Sequence, residues 1–209
     1  MNRETPARAP VLSLQAVHKR FGGIQALAGV DLDLHAGEVV ALVGENGAGK
    51  STAVKIMTGV ERPDSGCVRI AGAAVELRST QDAWKHGIAA VYQETVMFDE
   101  LSVAENIFMG HLVTRRGGLL DWPQMKRRAD AILASLEADL RADAPLGALS
   151  VAQKHLVEIA RALSHEAAVL IMDEPTAALS SREVEHLYRV IRRLAGGGTA
   201  ILFISHKLD

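Results

Sequence analysis

The sequence predicts an α/β fold with a mainly parallel sheet, an antiparallel β subdomain and an inserted helical lobe. Three continuous apolar runs have the pattern of strands buried on both faces, and they lie at residues 39–43, 168–172 and 200–204. Helical patterns separate and flank these runs, at residues 51–58, 151–163 and 182–194. Buried strands that alternate with helices indicate a parallel sheet.

Two other segments predict the antiparallel subdomain. Residues 11–17 and 30–34 alternate between apolar and polar side chains, which is typical of half-exposed strands. Ala36-Gly37 favours a turn after the second of them.

The middle of the chain has a different pattern. From about residue 95 to residue 150 it is helical and polar, and it is interrupted by Gly117-Gly118, Pro123 and Pro145. Because no buried-strand run occurs there, we expect a helical lobe inserted into the α/β core.

Composition and charge exclude several classes of protein. The 209 residues leave room for one domain with a lobe, and 48% hydrophobic residues suffice to bury a core, which excludes a disordered or fibrous chain. A formal net charge of −2 disfavours a nucleic-acid binder that works through a general positive field. The single cysteine, Cys67, is predicted to be a reduced packing residue.

We expect this sequence to contain neither a secretion signal nor a membrane-spanning segment. Residues 1–10 lack the apolar segment of a secretion signal. We expect them to be a disordered N-terminus, followed by one domain over residues 11–209. Apolar runs reach about six residues, against the roughly 20 of a membrane helix. We therefore expect a soluble, cytoplasmic protein that reaches a membrane only as a peripheral partner.

A glycine-rich octapeptide follows the first apolar run and opens a helical pattern. It fits G-x-x-x-x-G-K-[ST] and consists of Gly44, Glu45, Asn46, Gly47, Ala48, Gly49, Lys50 and Ser51. Its glycines let backbone N–H groups curl around phosphate oxygens at the positive end of a helix. In this motif Lys50 reaches the β- and γ-phosphates and Ser51 ligates Mg²⁺, and we expect Thr52 to donate to the α-phosphate. The sequence thus predicts a P-loop NTPase core, and the context disfavours a chance glycine-rich turn.

Two acids follow the second apolar run. Asp173, at the tip of the predicted strand, is placed to hold the Mg²⁺ shell, and Glu174 is placed to polarise an attacking water. A carboxylate that polarises water, next to one that holds the metal shell, favours a hydrolase over a kinase. The alternative is that one carboxylate only caps the following segment.

Residues 149–153 then indicate a family. Leu149, Ser150, Val151, Ala152 and Gln153 resemble the LSGGQ-type signature of the nucleotide-binding domains of ABC transporters, and the resemblance extends from about Leu12 to Asp209. It implies that this segment faces the ATP held by a partner domain. It also implies a γ-phosphate contact for His206, a place in the metal shell for Gln93 and adenine stacking for Phe21. Taken singly, those three would be a strand-end histidine, an ordinary loop residue and a packing aromatic.

Three stretches are similar to the ATPases of bacterial ribose-, xylose- or galactose-type importers. They are residues 44–52, 101–110 and 149–163. The resemblance implies the N-terminal half of an ATPase with two such domains in tandem. It further implies ATP and Mg²⁺ as cofactors and a peripheral location on the cytoplasmic face of the inner membrane. The implied partners are a second ABC ATPase domain, membrane permease subunits and, indirectly, a periplasmic solute-binding protein, with no nucleic acid.

The sequence departs from the family pattern at three points. Val151 and Ala152 replace the signature glycines, Ser180 replaces the usual aspartate after the acidic pair, and the chain stops three residues after His206. The last departure leads us to expect a truncated domain whose sheet lacks outer strands. A β-branched valine at a position of close backbone approach predicts a weak signature, so that this chain's own P-loop site does most of the hydrolysis.

Two alternatives from other classes remain at this stage. One is an ABC ATPase that acts on DNA or the ribosome and does not transport. The other is a nucleotide-dependent assembly module whose isolated chain hydrolyses little ATP.

Restoring the signature glycines tests the predicted asymmetry. We expect the double change Val151→Gly and Ala152→Gly to leave steady-state ATP turnover of the assembled transporter unchanged, because the strong site dominates. A severalfold rise in turnover would show instead that the weak site limits the rate.

Overall fold

The computed structural model describes residues 9–45, 47–92, 96–115, 117–177 and 179–206. Its strands are β1 (Leu12–Phe21), β2 (Ile24–Leu34), β3 (Val39–Val43), β4 (Ser65–Ile70), β5 (Ala73–Val75), β6 (Ile88–Val91), β7 (Val169–Asp173) and β8 (Ala200–Ser205). Its helices are α1 (Lys50–Met57), α2 (Thr80–Lys85), α3 (Val103–Ile107), α4 (Trp122–Ser135), α5 (Val151–Ser164) and α6 (Ser181–Gly196). The predicted α/β class, with one parallel and one antiparallel sheet, is confirmed.

The parallel sheet has the strand order β3-β8-β7-β6. Its register pairs Val43 with Ser205, Asp173 with Ile204, and Val91 with Met172. The carboxyl ends of all four strands therefore meet at one edge, which is where ligands bind in open α/β sheets.

One strand of this sheet differs from its prediction. The apolar run of β3 predicts burial on both faces, but in the described part of the chain β3 lies at the sheet edge, with Val39 45% and Val43 37% exposed. That prediction was wrong because an apolar run does not distinguish an edge strand from a central one. The runs of β7 and β8 are central and buried, as predicted.

The antiparallel sheet has the order β2-β1-β4-β5. β1 and β2 pair from Leu12 opposite Leu34 to Phe21 opposite Ile24, around a tight turn in which Gly22 has a φ of +56°. The alternating pattern predicted β1 and β2 but was too short and too weak to predict β4 and β5.

The parallel sheet separates two apolar clusters. Val169 and Ile171 of β7 pack with α1 and the antiparallel sheet, whereas Leu170 and Met172 pack with α3, α4 and α5. Successive strand residues point to opposite faces, so one strand contributes to both clusters.

The segment between β6 and α5 is less helical than its pattern predicts. It contains α3 and α4, a 3-10 turn at residues 146–148 and an isolated bridge between Thr114 and Leu120. Ser102 and Glu105 form a reciprocal capping box that fixes the start of α3. Among the described residues, none of the helices has the length and apolar character needed to span a bilayer.

Stacked rings join α2 to the C-terminal end of α5. Trp84 lies 4.4 Å from His165, and His165 lies 3.7 Å from His111, measured between ring centroids. Burial, with His111 and Arg161 nearby, lowers the pKa of His165 to about 4 from an ordinary value of 6.5. Both histidines are therefore neutral parts of the packing at pH 7, since burial also lowers the pKa of His111.

This neutral stack predicts a pH dependence of stability. Because the folded state takes up the His165 proton only near pH 4 while the unfolded state does so near 6.5, the free energy of unfolding should fall as pH is lowered through this window. His165→Phe keeps a ring against Trp84 but cannot titrate, so urea unfolding between pH 7.5 and 5 should show a smaller loss than for wild type. The control change His86→Gln, at an exposed residue, should leave the dependence of the unfolding free energy on pH as in the wild type. An unchanged slope in His165→Phe would contradict this role.

Candidate functional site

The loop between β3 and α1 has a backbone that requires glycine. Gly47 and Gly49 both have a φ of +87°, and Gly49 is the N-cap of α1. A Cβ on Gly49 would lie 2.4 Å from the carbonyl oxygen of Ala26 in β2. The antiparallel sheet therefore presses against the loop, and only glycine fits there.

Lys50 lies over this loop. Its Nζ donates to the carbonyl oxygen of Gly44 and, at 2.9 Å, to that of Glu45. The first intrahelical hydrogen bond of α1 runs from Ala53 N–H to the carbonyl of Gly49, so the N–H groups of residues 50–52 have no acceptor within the helix. Ammonium and backbone donors thus converge at the N-terminus of α1, which suits a phosphate chain. Asn46 lies outside the described residues.

The acidic pair lies at the same edge of the sheet. Asp173 ends β7, and Glu174 follows it with a φ of +50°, a conformation that is uncommon and strained for a residue with a Cβ. The N–H of Glu174 donates to the carbonyl of Ile204 at 3.0 Å, which ties this residue to β8.

His206 is the third member of this group. It follows β8, and its Nδ1 lies 2.9 Å from Oε1 of Glu174. The register of β7 and β8 thus brings Glu174 and His206 together from positions 32 residues apart in the chain.

Asp173 lies in a charged and partly dehydrated setting. Burial raises the pKa of its carboxyl, and the neighbouring Glu174 raises it further, whereas Lys50 lowers it. A bound cation would offset both unfavourable effects.

The oxygen donors near Asp173 are of the kind that Mg²⁺ takes. The described residues contain no group of three histidine, cysteine, aspartate or glutamate side chains that could bind a metal alone. One carboxylate of Asp173 and the hydroxyl of Ser51, at the start of α1, instead fit an ion that is completed by phosphate and water oxygens. Gln93, also predicted for this shell, lies outside the described residues.

The signature segment lies at the start of α5. Ser150 is the N-cap, its hydroxyl accepts from the N–H of Gln153, and the Gln153 side chain accepts from the N–H of Ser150 at 2.9 Å. Val151 is 54% exposed in the first turn, and Ala152 follows it. Leu149 packs against the apolar cluster that contains Leu170 and Met172 of β7 and residues of α3, α4 and α5. Gln153 therefore has a structural role in the cap that the sequence analysis missed, although S-x-x-Q is a capping signal.

In the described part of the chain, no hydrogen bond or ring contact joins Phe21 or Ser180 to these groups. Phe21 ends β1, is 45% exposed and has Nζ of Lys19 at 5.3 Å from its ring centroid, so it remains a predicted adenine contact without a described link to the phosphate loop. Ser180 is the N-cap of α6, and its hydroxyl and N–H both donate to the Glu183 carboxylate, at 2.6 and 2.8 Å. The serine that departs from the family pattern thus has a capping function of its own.

Tyr92 and Thr58 form a link that the sequence did not predict. Tyr92, directly after β6, donates its hydroxyl to Oγ1 of Thr58 at 3.0 Å, and Thr58 donates to the carbonyl of Val54 at 2.9 Å. Burial raises the pKa of Tyr92, and the charge of Asp173 contributes to the increase. The bond connects the end of β6 to the phosphate-loop helix, and nothing in the local sequence marks a pair 34 residues apart.

Known proteins resemble this chain in sequence. Residues 27–177 match the model of the family described as ABC transporter. The chain is 56% identical over 205 residues to the ribose import ATP-binding protein RbsA of Jannaschia sp. (strain CCS1), and 52% identical over 206 residues to ribose import ATP-binding protein RbsA 1 of Agrobacterium fabrum. These matches cover 98% and 99% of this chain but 40% of each relative, so the chain spans about two fifths of the length of these curated relatives.

Solved structures resemble it in fold. The ADP conformation of MJ1267, an ATP-binding cassette of an ABC transporter, has a TM-score of 0.85 and 28% identity, covering 96% of this chain and 82% of that one. The dimeric post-hydrolysis state of the ATP-binding cassette MJ0796, bound to ADP and Pi, has a TM-score of 0.78 and 27% identity, covering 94% and 88%.

The two loop glycines provide a matched test of this geometry. Gly47→Ala adds a Cβ in open space and should cost about 1–2 kcal/mol of unfolding free energy for its positive φ. Gly49→Ala has the same φ and also meets Ala26, so it should lower stability further and weaken binding of magnesium nucleotide. Urea unfolding and calorimetric titration measure the two effects. Equal decreases of unfolding free energy and of nucleotide affinity in the two variants would show that the close approach of Ala26 in β2 does not determine the loop conformation.

Proposed function

Because this chain belongs to the ABC transporter family, we propose that it binds and hydrolyses ATP as the motor of an importer for a monosaccharide or a related small solute. The observation that carries the hydrolytic part is the Glu174 carboxylate, held 2.9 Å from His206 beside Asp173. The similarity to ribose import ATP-binding proteins supports sugar import over a role on DNA or the ribosome.

The proposed assembly extends beyond these 209 residues. The chain matches two fifths of its curated relatives, which supports a second ABC ATPase domain in tandem with this one. Membrane permease subunits and, indirectly, a periplasmic solute-binding protein complete the proposed importer. The ATPase then lies peripherally on the cytoplasmic face of the inner membrane.

The phosphate loop supplies binding and charge. Lys50, with the N–H groups at the start of α1, holds the β- and γ-phosphates of ATP. Ser51, Asp173 and Gln93 are proposed to hold Mg²⁺, which neutralises phosphate charge as the terminal bond breaks.

Glu174 and His206 divide the chemical work. Glu174 accepts a proton from water while the water oxygen bonds to the γ-phosphorus and the bond to the leaving oxygen of ADP breaks. His206, hydrogen-bonded to that carboxylate, orients it and steadies the γ-phosphate.

The signature is proposed to serve the partner's nucleotide. Ser150 and the first turn of α5 present a helix N-terminus, and Val151 is exposed in that turn. In the proposed assembly, its branched side chain would hinder close approach of this backbone to a phosphate. This geometry supports a weak signature in this half of the ATPase.

A single isosteric change tests the proposed general base. Glu174→Gln keeps the size of the side chain but cannot accept the proton, so ATP hydrolysis by the assembled transporter should fall by at least about 100-fold while ATP binding is retained. Retention of radiolabelled ATP measures binding, and release of phosphate measures hydrolysis. The matched change Glu166→Gln, at an exposed residue, should leave both at wild-type values. Wild-type turnover in Glu174→Gln would disprove the assignment.

A further inference from the structure

A small cavity lies between α2, β6 and the C-terminal end of α5. Its volume is about 30 Å³, whereas a single water requires roughly 10–15 Å³. Most of its wall is apolar, with the ring of Trp84 from α2, Ala89 and Val91 from β6 and Ala162 from α5. The cavity is therefore large enough for a water and too small for an organic ligand.

Three polar side chains complete the wall of this cavity. Glu158 and Arg161 belong to α5, and His165 is the C-cap of that helix. Nη2 of Arg161 and Nε2 of His165 are both buried, and neither has a hydrogen-bond partner among the described residues. Glu158 is 8% exposed and brings a carboxylate to the same wall. Polar groups that converge on a cavity favour a bound water, whereas a cavity with only apolar groups stays dry.

The remaining contacts of Arg161 and His165 hold these two nitrogens in place. Nε of Arg161 donates to the carbonyl of Asn106 at 2.7 Å, and its Nη1 donates to that of Val96 at 3.2 Å. Because the guanidinium is planar and rigid, these two bonds also fix the direction of Nη2. The ring of His165 stacks on Trp84 at 4.4 Å between centroids. Neither nitrogen can therefore turn towards solvent without loss of these contacts.

Water suits this set of groups better than an ion does. Burial lowers the pKa of Arg161, which shows that its guanidinium is partly dehydrated, and a buried donor without an acceptor is costly. His165 is neutral at pH 7, so its Nε2 either donates or accepts. A water molecule both donates and accepts and can satisfy all three groups. An anion would face the carboxylate of Glu158, and a cation would face the guanidinium of Arg161.

We propose that this cavity is a binding site for one structural water. The water accepts from Nη2 of Arg161, donates to the carboxylate of Glu158 and bonds to Nε2 of His165. All three partners lie within two turns at one end of α5, so the water completes the hydrogen bonds of this helix end inside an otherwise apolar wall. This inference concerns the interior of the domain and does not depend on the proposed function.

Two isosteric changes of Ala162 test the polarity of the site. Threonine and valine have nearly the same shape and are both β-branched, but only threonine carries a hydroxyl. In the cavity that hydroxyl takes the place of the water and bonds to the polar nitrogens. Ala162→Thr should therefore have an unfolding equilibrium constant about tenfold lower than that of Ala162→Val, measured by urea unfolding at pH 7.5.

Ala160 provides a matched control on the same helix. It is fully buried in the apolar cluster that contains Leu170 and Met172, and it is not among the described residues that line the cavity. A hydroxyl buried among apolar groups is unfavourable, so Ala160→Thr should be less stable than Ala160→Val. The order of threonine and valine should thus be opposite at positions 160 and 162.

Oxygen-17 relaxation dispersion counts the long-lived internal waters directly. The count should fall by one from the wild type to Ala162→Thr, because the hydroxyl displaces the water, and it should stay at the wild-type value in Ala160→Val. A second measurement needs no variant and therefore does not depend on how well the Ala162 variants fold. In the wild type, Overhauser transfer in the rotating frame should connect water to the ring hydrogens beside Nε2 of His165.

Three results would overturn the inference. One is an Ala162→Thr variant that is no more stable than Ala162→Val or that retains the wild-type count of long-lived waters. Another is a wild type without Overhauser transfer from water to His165. The third is a melting temperature that rises with chloride at constant ionic strength in the wild type but not in Ala162→Thr, which would identify the occupant as an anion.

Discussion

The register of the parallel sheet is the constraint on which the site depends. It places the ends of β3, β7 and β8 at one edge, so the phosphate loop, the acidic pair and His206 meet although they are far apart in the chain. A shift of one strand by one residue would exchange the side chains on its two faces and part Glu174 from His206. Strand pairing therefore determines where the backbone of each of these residues lies, and the side chains of the site extend from those fixed positions.

Two residues with a positive φ lie at this edge of the sheet, Glu174 and Gly49. The N–H of Glu174 donates to the carbonyl of Ile204 in the neighbouring strand β8, and Gly49 lies so close to Ala26 of β2 that a Cβ would not fit. Such conformations persist because the surroundings over-determine them. Both conformations are thus tied to neighbouring strands.

The sequence predicted features that are encoded locally and missed those decided by distant pairing. The phosphate loop and the acids at the end of β7 each occupy a few consecutive residues, so a local sequence motif predicts each of them. The edge position of β3 depends on strand order, and the bond between Tyr92 and Thr58 joins distant residues, so neither leaves a local pattern. Ser180 lies between these cases, because the S-x-x-E spacing to Glu183 is a local capping signal, whereas the family pattern predicts an aspartate at this position.

The division of the interior by β7 has a consequence for how such a domain changes over time. Leu170 and Met172 serve one apolar cluster, and Val169 and Ile171 serve the other, on the strand that ends at Asp173. If a substitution in either cluster displaced the backbone of β7, the acids at its end would move as well. Repacking of either cluster must therefore leave this backbone in place. Substitutions in either apolar cluster are therefore constrained by the same strand, β7. A substitution in one cluster should be compensated by substitutions in the other cluster as well as in its own.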